Sequence, residues 1–500
     1  MENKPKEQKN SSVVFTDSIK ENMDQLKLIF KNDETLIFRL VENPLVPSVE
    51  FCIVYIDGMV NNKLMNEDVI KPLIEYKPKP KEPLSLDSIA KQAMLSNSVE
   101  KTSDADKILQ AIVYGDSILM MDGVSEFLIL NTKGWGSRSI SEPENEKVIR
   151  GPREGFNEAL MMNLSLLRRK IRTPDLKMEF QSFGTRSNTK ACICYLDDLV
   201  NKDVLAELKK RLQTFSIDGT LDSNYINEFI NDAPRSPFKT IGSTEKPDIV
   251  AAKLLEGRVA LFLDGTPVVL TMPFLFIENF QSDEDYYLNY YFASIGRILR
   301  LIAFFVSTSV PAIYVALTTF HHEIVPLALT MSISKSRQGV PFPTVLEAVL
   351  MLLVFEMLRE SGARMPGMMG QALSIVGALV IGQAAVEAKI VSAPMIIVVG
   401  VTGISGLMIP RVKGATIILR FVLLIMTSVL GLYGYMFGML GLLIHLFNLN
   451  SFGVPIMTSA FASGLQDKKD IAVRAPWWLM KKRPKFLSPN MTRESSRSRK

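Results

Sequence analysis

Residues 52–61 read CIVYIDGMVN, and residues 192–201 read CICYLDDLVN. Laid over one another they share Cys, Ile, Tyr, Asp, Val and Asn. A second pair stands at nearly the same separation, GDSILMMDG at 115–123 and GRVALFLDG at 257–265. Two matches at nearly one offset imply a duplicated module. We place its first copy within 35–150 and its second within 175–290. Each copy holds a β-rich run, such as Phe51–Ile56, that stops at Asp57-Gly58 or at Asp197-Asp198. An amphipathic helix should follow. In the second copy it is Lys202–Thr214, with Val204, Leu205, Leu208 and Leu212 on one face. Asp122-Gly123 and Asp264-Gly265 are hairpin dipeptides between later strands. Between the copies, Gly151–Arg172 reads as a connecting helix within 151–174, because Leu160, Leu164, Leu167 and Ile171 have helical spacing. Lys77–Pro83 and Ala233–Pro247 read as loops. The expected fold is therefore an α/β region of two related subdomains, preceded by a disordered or helical segment over 1–34.

The chemistry of this half is sparse. Of 500 residues, three are Cys (Cys52, Cys192, Cys194) and three are His (His321, His322, His445). Cys192 and Cys194 alternate along a strand and point to one face, so we read them as buried thiols. An odd, sparse set argues against a disulfide scaffold, and no zinc spacing links Cys to His. No Walker loop, nucleophile elbow or dinucleotide glycine pattern occurs. Gly134-Trp-Gly136 is a lone glycine pair. Asp57 and Asp197 are turn formers at strand ends rather than catalytic carboxylates. The region reads as an assembly domain, not an enzyme, with no cofactor and no metal. The net charge of +5 is too small to argue for nucleic acid.

Residues 298–447 are dominated by apolar runs, unlike the charge-rich residues before them. A membrane helix needs about 20 apolar residues, so only this third qualifies. Ile298–Phe320 should be the first span, with Arg297 and Arg300 flanking it and Pro311 inside. His321-His322-Glu323 should form an interfacial loop. Thr344–Leu358 is short for a crossing, and Gly367–Ala388 and Ile390–Pro410 follow. Ala415–Phe447 would be about 50 Å long as one helix, so Gly431, Gly434, Gly438 and Gly441 should break it or pack it closely. From Lys468 to Lys500 there are 11 Lys and Arg against Asp470 and Glu494. This basic tail over 451–500 predicts a cytoplasmic C-terminus, with membrane lipids as an additional contact. The polar residues 1–10 place the N-terminal region on the same side. Both ends on one side require an even number of crossings, four to six within 291–450, with a re-entrant helix allowed.

Within that third, Gln371, Ser374, Ala378, Gly382 and Ala385 share one helical stripe, which suits tight packing or a narrow wet pore. Glu347 and Glu356 are intramembrane acids, with Glu387 a third. Glu356 has Arg359 three residues on and can pair with it.

The block PFPTVLEAVLMLLVFEMLRESGARMP at 341–366, followed by GMMGQALSIVGALVIGQAAVEAKIVSAPMIIVV, resembles the GerA family of spore germination proteins. Within that family the likeness is to the A subunit of nutrient germinant receptors. The resemblance covers about 35–480. It implies a multi-pass protein of the spore inner membrane, with its N-terminal domain and C-terminal tail in the spore core. It implies partners too: a transporter-like B subunit that binds the germinant, and a lipoprotein C subunit. It further implies self-association into a pentamer that conducts monovalent cations, so that nutrient binding releases them and starts germination. Three other readings compete. One is a germination-amplifying paralogue encoded with dipicolinate-channel proteins, and another is a secondary transporter. The last is a scaffold in which Glu347 and Glu356 only pair within the bundle.

Overall fold

A computed structural model describes residues 15–46, 49–77, 85–92, 94, 99–134, 146, 148, 150–364, 377, 380–458, 469–484, 486–489 and 492–493. The chain divides into two compact units. One comprises Met1–Asn231, Ile241–Pro273 and Arg483–Thr492, and the other Asp232–Thr240, Phe274–Lys482 and Arg493–Lys500.

The first unit holds two five-stranded antiparallel sheets. One is built from β1 (Leu36–Glu42), β2 (Glu50–Ile56), β3 (Val99–Thr102), β4 (Ser117–Met121) and β5 (Phe127–Leu130). The other uses β6 (Leu176–Phe183), β7 (Thr189–Leu196), β8 (Gly242–Thr244), β9 (Val259–Leu263) and β10 (Val269–Met272). Their strand orders, β1-β2-β4-β5-β3 and β6-β7-β9-β10-β8, are the same path written twice. The duplication inferred from two short matches therefore extends to the whole topology. Alternation along β2 explains how the first sheet is covered on both faces. Cys52, Val54 and Ile56 face one cluster with Leu26, Ile108 and Ile112. Phe51 and Ile53 face another with Val69, Leu73 and Ile89. In the second sheet Cys192, Cys194 and Leu196 pack on Leu164, Leu167, Val250 and Leu254. Val204, Leu208 and Leu212 are the buried face of the helix Lys202–Leu212, whose start is capped by Asn201. The expected loop Ala233–Pro247 contains β8 and ends where Pro247 opens a helix.

The connecting helix is shorter than expected, and it is not a linker. It spans Leu160–Lys170 (α2 here, after α1, Ile19–Ile29). Residues 151–159 lie outside it because Asn157 and Asn163 lock the approach: Asn163 Nδ2 donates to the Asn157 carbonyl at 2.6 Å, and the Asn157 amide to Asn163 Oδ1 at 2.9 Å. The Leu160 amide then finds Asp264 Oδ1 at 3.0 Å. In the first copy the Ile19 amide points at Asp122 Oδ1 at 3.4 Å, and the Gly123 amide donates to the Asp17 carbonyl at 2.9 Å. The hairpin aspartates thus cap equivalent helices, and α2 is the first element of the second copy.

The second unit is helical. Its long elements are α3 (Tyr290–Thr319), α4 (Thr344–Arg364), α5 (Ala393–Leu407), α6 (Lys413–Leu430) and α7 (Leu432–Asn448). Among the described residues two helices are long and apolar enough to cross a membrane, Tyr290–Thr319 and Pro410–Leu430. Four sequence expectations change. The first helix begins at Tyr290, because Asn289 caps it there. Phe274–Asn289, expected in the second α/β copy, belongs to this unit, with Phe276 and Phe280 edge-on to Phe304 at 6.1 and 5.5 Å. The short Thr344–Leu358 is a 21-residue helix, since Arg359 and Glu360 continue it. The stretch 451–500, expected as a basic tail apart from the α/β region, gives part of itself to the first unit: there Leu487 is buried, Ser488 Oγ donates to the Leu199 carbonyl at 2.7 Å, and Arg483 Nε donates to the Leu255 carbonyl at 2.7 Å.

The glycine-rich run breaks at Gly431, whose φ of +58° and ψ of −139° close α6 and open α7. A Cβ there would sit 2.7 Å from His321 Cε1. The two helices then fold back on each other. A Cβ at Gly434 would lie 2.1 Å from the Met426 carbonyl oxygen, and one at Gly438 would lie 2.5 Å from Leu423. His322–Ile324 forms the expected turn after α3.

Candidate functional site

Charged side chains among apolar helices are costly unless paired, so the second unit's centre is defined by where its charges go. Glu356, on α4, lies between two arginines. It pairs with Arg359 one turn on, and its Oε1 accepts from Arg420 Nη1 at 3.0 Å. Arg420, on α6, is 1% exposed. Its remaining donors go to α3: Nε to the Ser307 carbonyl and Nη2 to Ser307 Oγ, both at 2.8 Å. Three helices are thus joined at one carboxylate. Gly406 of α5 lies against this junction. A Cβ at that position would be 3.3 Å from Ser307 Oγ and 3.6 Å from Arg359 Nη1. Next to it on α5, a Cβ at Gly403 would overlap the Phe355 ring, so α4 and α5 touch through the missing side chain.

Glu347 forms a separate node at the start of α4. It is fully buried. Its Oε2 accepts from the Ser392 amide at 3.0 Å and from Ser392 Oγ at 2.9 Å, at the start of α5. Arg337 Nη2 is 3.2 Å from Oε1. Glu347 and Glu356 have no partner in common. Glu387 is exposed and accepts from Gln383 at 3.0 Å.

Of the stripe, Gln371, Ser374 and Ala378 lie outside the described residues. Gly382 is buried, and a Cβ there would come 3.3 Å from Ile396 Cδ1 on α5. Ala385 is half-buried. Sequence reasoning missed Arg420 altogether. A lone cation inside an apolar run is the available signal, equal in weight to the acids of the same region.

A third cluster holds the start of α3. Arg297, fully buried, donates through Nε to Asp285 at 2.8 Å and through Nη1 to Asp470 at 2.7 Å. Arg300 donates to Asp285 at 2.5 Å. The flanking arginines expected to mark a membrane edge are thus paired rather than free.

In the first unit the thiols are inert. Cys192 and Cys194 Sγ lie 3.8 Å apart as free, buried cysteines. Burial pushes the Cys52 thiol up to about 12. Asp57 accepts from the Gly58 amide at 2.9 Å, which is turn work. No group of His, Cys, Asp and Glu among the described residues could hold a metal ion.

The described residues thus combine a duplicated α/β unit with apolar helices whose charges are paired. The family model for "Bacillus/Clostridium GerA spore germination protein" matches residues 24–486, and the chain belongs to that family. It is 41% identical over 95% of its length to the "Uncharacterized membrane protein YfkQ" of Bacillus subtilis (strain 168), covering 92% of that protein. It is 39% identical to "Spore germination protein KA" of the same organism, over 96% of this chain and 89% of that one. A solved structure, the N-terminal domain of the A subunit of the Bacillus megaterium spore germinant receptor GerK3, aligns at 28% identity and a TM-score of 0.40, over 53% of this chain and 98% of that one.

Proposed function

We propose that this protein is the A subunit of a germinant receptor and forms, as an oligomer in the spore inner membrane, the conduit through which cations leave when nutrient is sensed. The observation that carries this reading is the family match over residues 24–486, which spans both units and not the sheets alone. The bundle is consistent with it, because buried Arg420 pairs across helices with half-buried Glu356 in a manner suited to a non-aqueous surrounding. The transporter-like B subunit and the lipoprotein C subunit are the partners in this reading, and the α/β unit is the surface for assembly. Gating is then a population shift: whichever partner state binds the open arrangement better drives it open.

In this reading Gln371, Ser374, Ala378, Gly382 and Ala385 line the conduit. Potassium release from spores carrying Ala378→Phe tests it. The expected result is normal protein level with ion release abolished. Release at the wild-type rate removes this helix from the conduit.

A further inference from the structure

Near the end of the helical unit, a knuckle exposes what a membrane surface takes up. Trp477–Leu479 forms a single 3-10 turn after Pro476. Trp477 and Trp478 are each 54% exposed and Leu479 is 44% exposed. Lys481 and Lys482 follow at once, both exposed. Two indoles pointing at solvent beside two ammonium groups would be an unfavourable surface in water alone. At a bilayer edge the same set is favourable, because indole rings prefer the headgroup level and lysines are drawn to anionic lipid.

The knuckle is not a loose tail. Asp470 accepts from Arg297 Nη1 at 2.7 Å and from the Tyr286 hydroxyl at 2.8 Å, and its carbonyl accepts from Gln281 at 2.8 Å. The Arg474 amide donates to Ser294 Oγ at 3.0 Å, and Arg474 Nη1 to the Leu288 carbonyl at 3.1 Å. Trp477 sits 5.9 Å from Tyr286, and Trp478 is edge-on to Tyr290 at 6.0 Å. Tyr290 opens α3, and the next two residues, Tyr291 and Phe292, are 67% and 64% exposed. The two indoles therefore continue an exposed aromatic ring that begins at the entry of the apolar helix. Of the nearby acids, Asp285 and Asp470 are paired with Arg297 and Arg300, while Arg474 lies 5.5 Å over the Trp477 ring and Lys469 Nζ donates to the Leu479 carbonyl at 3.1 Å, which adds positive charge beside the lysines.

We propose that Trp477, Trp478 and Leu479 insert at the interface of an anionic leaflet, with Lys481 and Lys482 on its phosphates, and so fix the depth at which α3 enters. This rests on reading α3 as a membrane helix, which has its own control. The chain has three tryptophans, and Trp135→Phe leaves only the knuckle pair. The full-length variant is placed in nanodiscs whose phosphatidylcholine and phosphatidylglycerol carry bromine near the top of the acyl chain. We expect strong quenching of a blue-shifted emission. Lys481→Gln with Lys482→Gln should reduce quenching in phosphatidylglycerol discs and leave it unchanged in phosphatidylcholine alone. A companion protein lacks all three native tryptophans and carries Phe305→Trp, a reporter on the exposed face of α3. If that reporter is quenched while the knuckle emits as in water, the knuckle docks on protein and the proposal falls. If the reporter is not quenched either, the membrane reading of α3 falls first, and the proposal with it. Quenching that ignores lipid charge and the lysine changes overturns the anionic part.

Discussion

Glu356 is one carboxylate with two guanidinium partners among apolar helices. Taking its charge away would leave Arg359 and Arg420 facing each other there. Breaking a buried pair from one side costs about 3–5 kcal/mol. Glu356→Gln should therefore lower the thermal midpoint of the purified protein in detergent. Glu360→Gln, whose partner Arg364 lies on the exposed side of the same helix, should change it little. Equal effects would mean that the three-helix junction contributes nothing special. The pairing of Glu356 with Arg359 was legible, because both partners lie on one helix turn. Arg420 was not, since its partner is 64 residues away and only tertiary structure brings them together. Arg168 is a similar case. It reads as the start of a basic run ending a helix, yet it falls on the same face as Leu164, Leu167 and Ile171, and that placement is the overlooked clue.

Among the elements, the helical hairpin α6–α7 depends on what is missing at Gly434. Any side chain there must displace the backbone carbonyl of Met426. Overpacking costs typically about 1–3 kcal/mol, and a backbone obstruction belongs at the upper end or beyond. Gly434→Val should reduce the yield of folded protein in the membrane fraction, whereas Gly441→Ala, with open space around it, should not. Matching yields would show that the hairpin does not need the close approach. The run of glycines is visible in sequence, but only the positive φ of Gly431 singles out the break, and φ depends on how the two helices meet. The end of α4 is hard to place from sequence for a plain reason: charged residues look like a terminus, although Glu356 and Arg359 satisfy each other within the helix. The sheet strands are easier, because period-two alternation and the Asp-Gly turns are local signals.

At the scale of the whole molecule, the duplicated unit is joined internally by a buried clamp. Arg168 Nη2, on α2, donates to Asp33 Oδ2 at 2.6 Å, with both side chains out of water. Lys177 Nζ, from β6, donates to the Ile29 carbonyl at 2.9 Å, and burial holds its pKa below the ordinary lysine value. The two copies should therefore unfold together. Asp33→Ala strands a buried guanidinium and should cost about 3–5 kcal/mol. Calorimetry should then show the α/β transition split or broadened, and a single sharp transition at the wild-type temperature would argue against the clamp. The repeat itself was legible from ten-residue echoes, whereas its extent was not. The helix Leu160–Lys170 reads as a connector in sequence, and only its capping by Asp264, which matches the contact of Ile19 with Asp122, assigns it to the second copy.

The single-residue turn at Gly431 also bears on how the chain is made. Helices of 18 and 17 residues rise about 27 and 26 Å, a little less than a bilayer's apolar thickness of about 30 Å. With no loop between them, the first cannot wait in the bilayer while a hydrophilic stretch passes through. In a bilayer, two helices joined this way would have to enter as one hairpin. A tag or protease site placed at residue 431 would part the two helices at their only junction and so act on the making of the hairpin before any mature function.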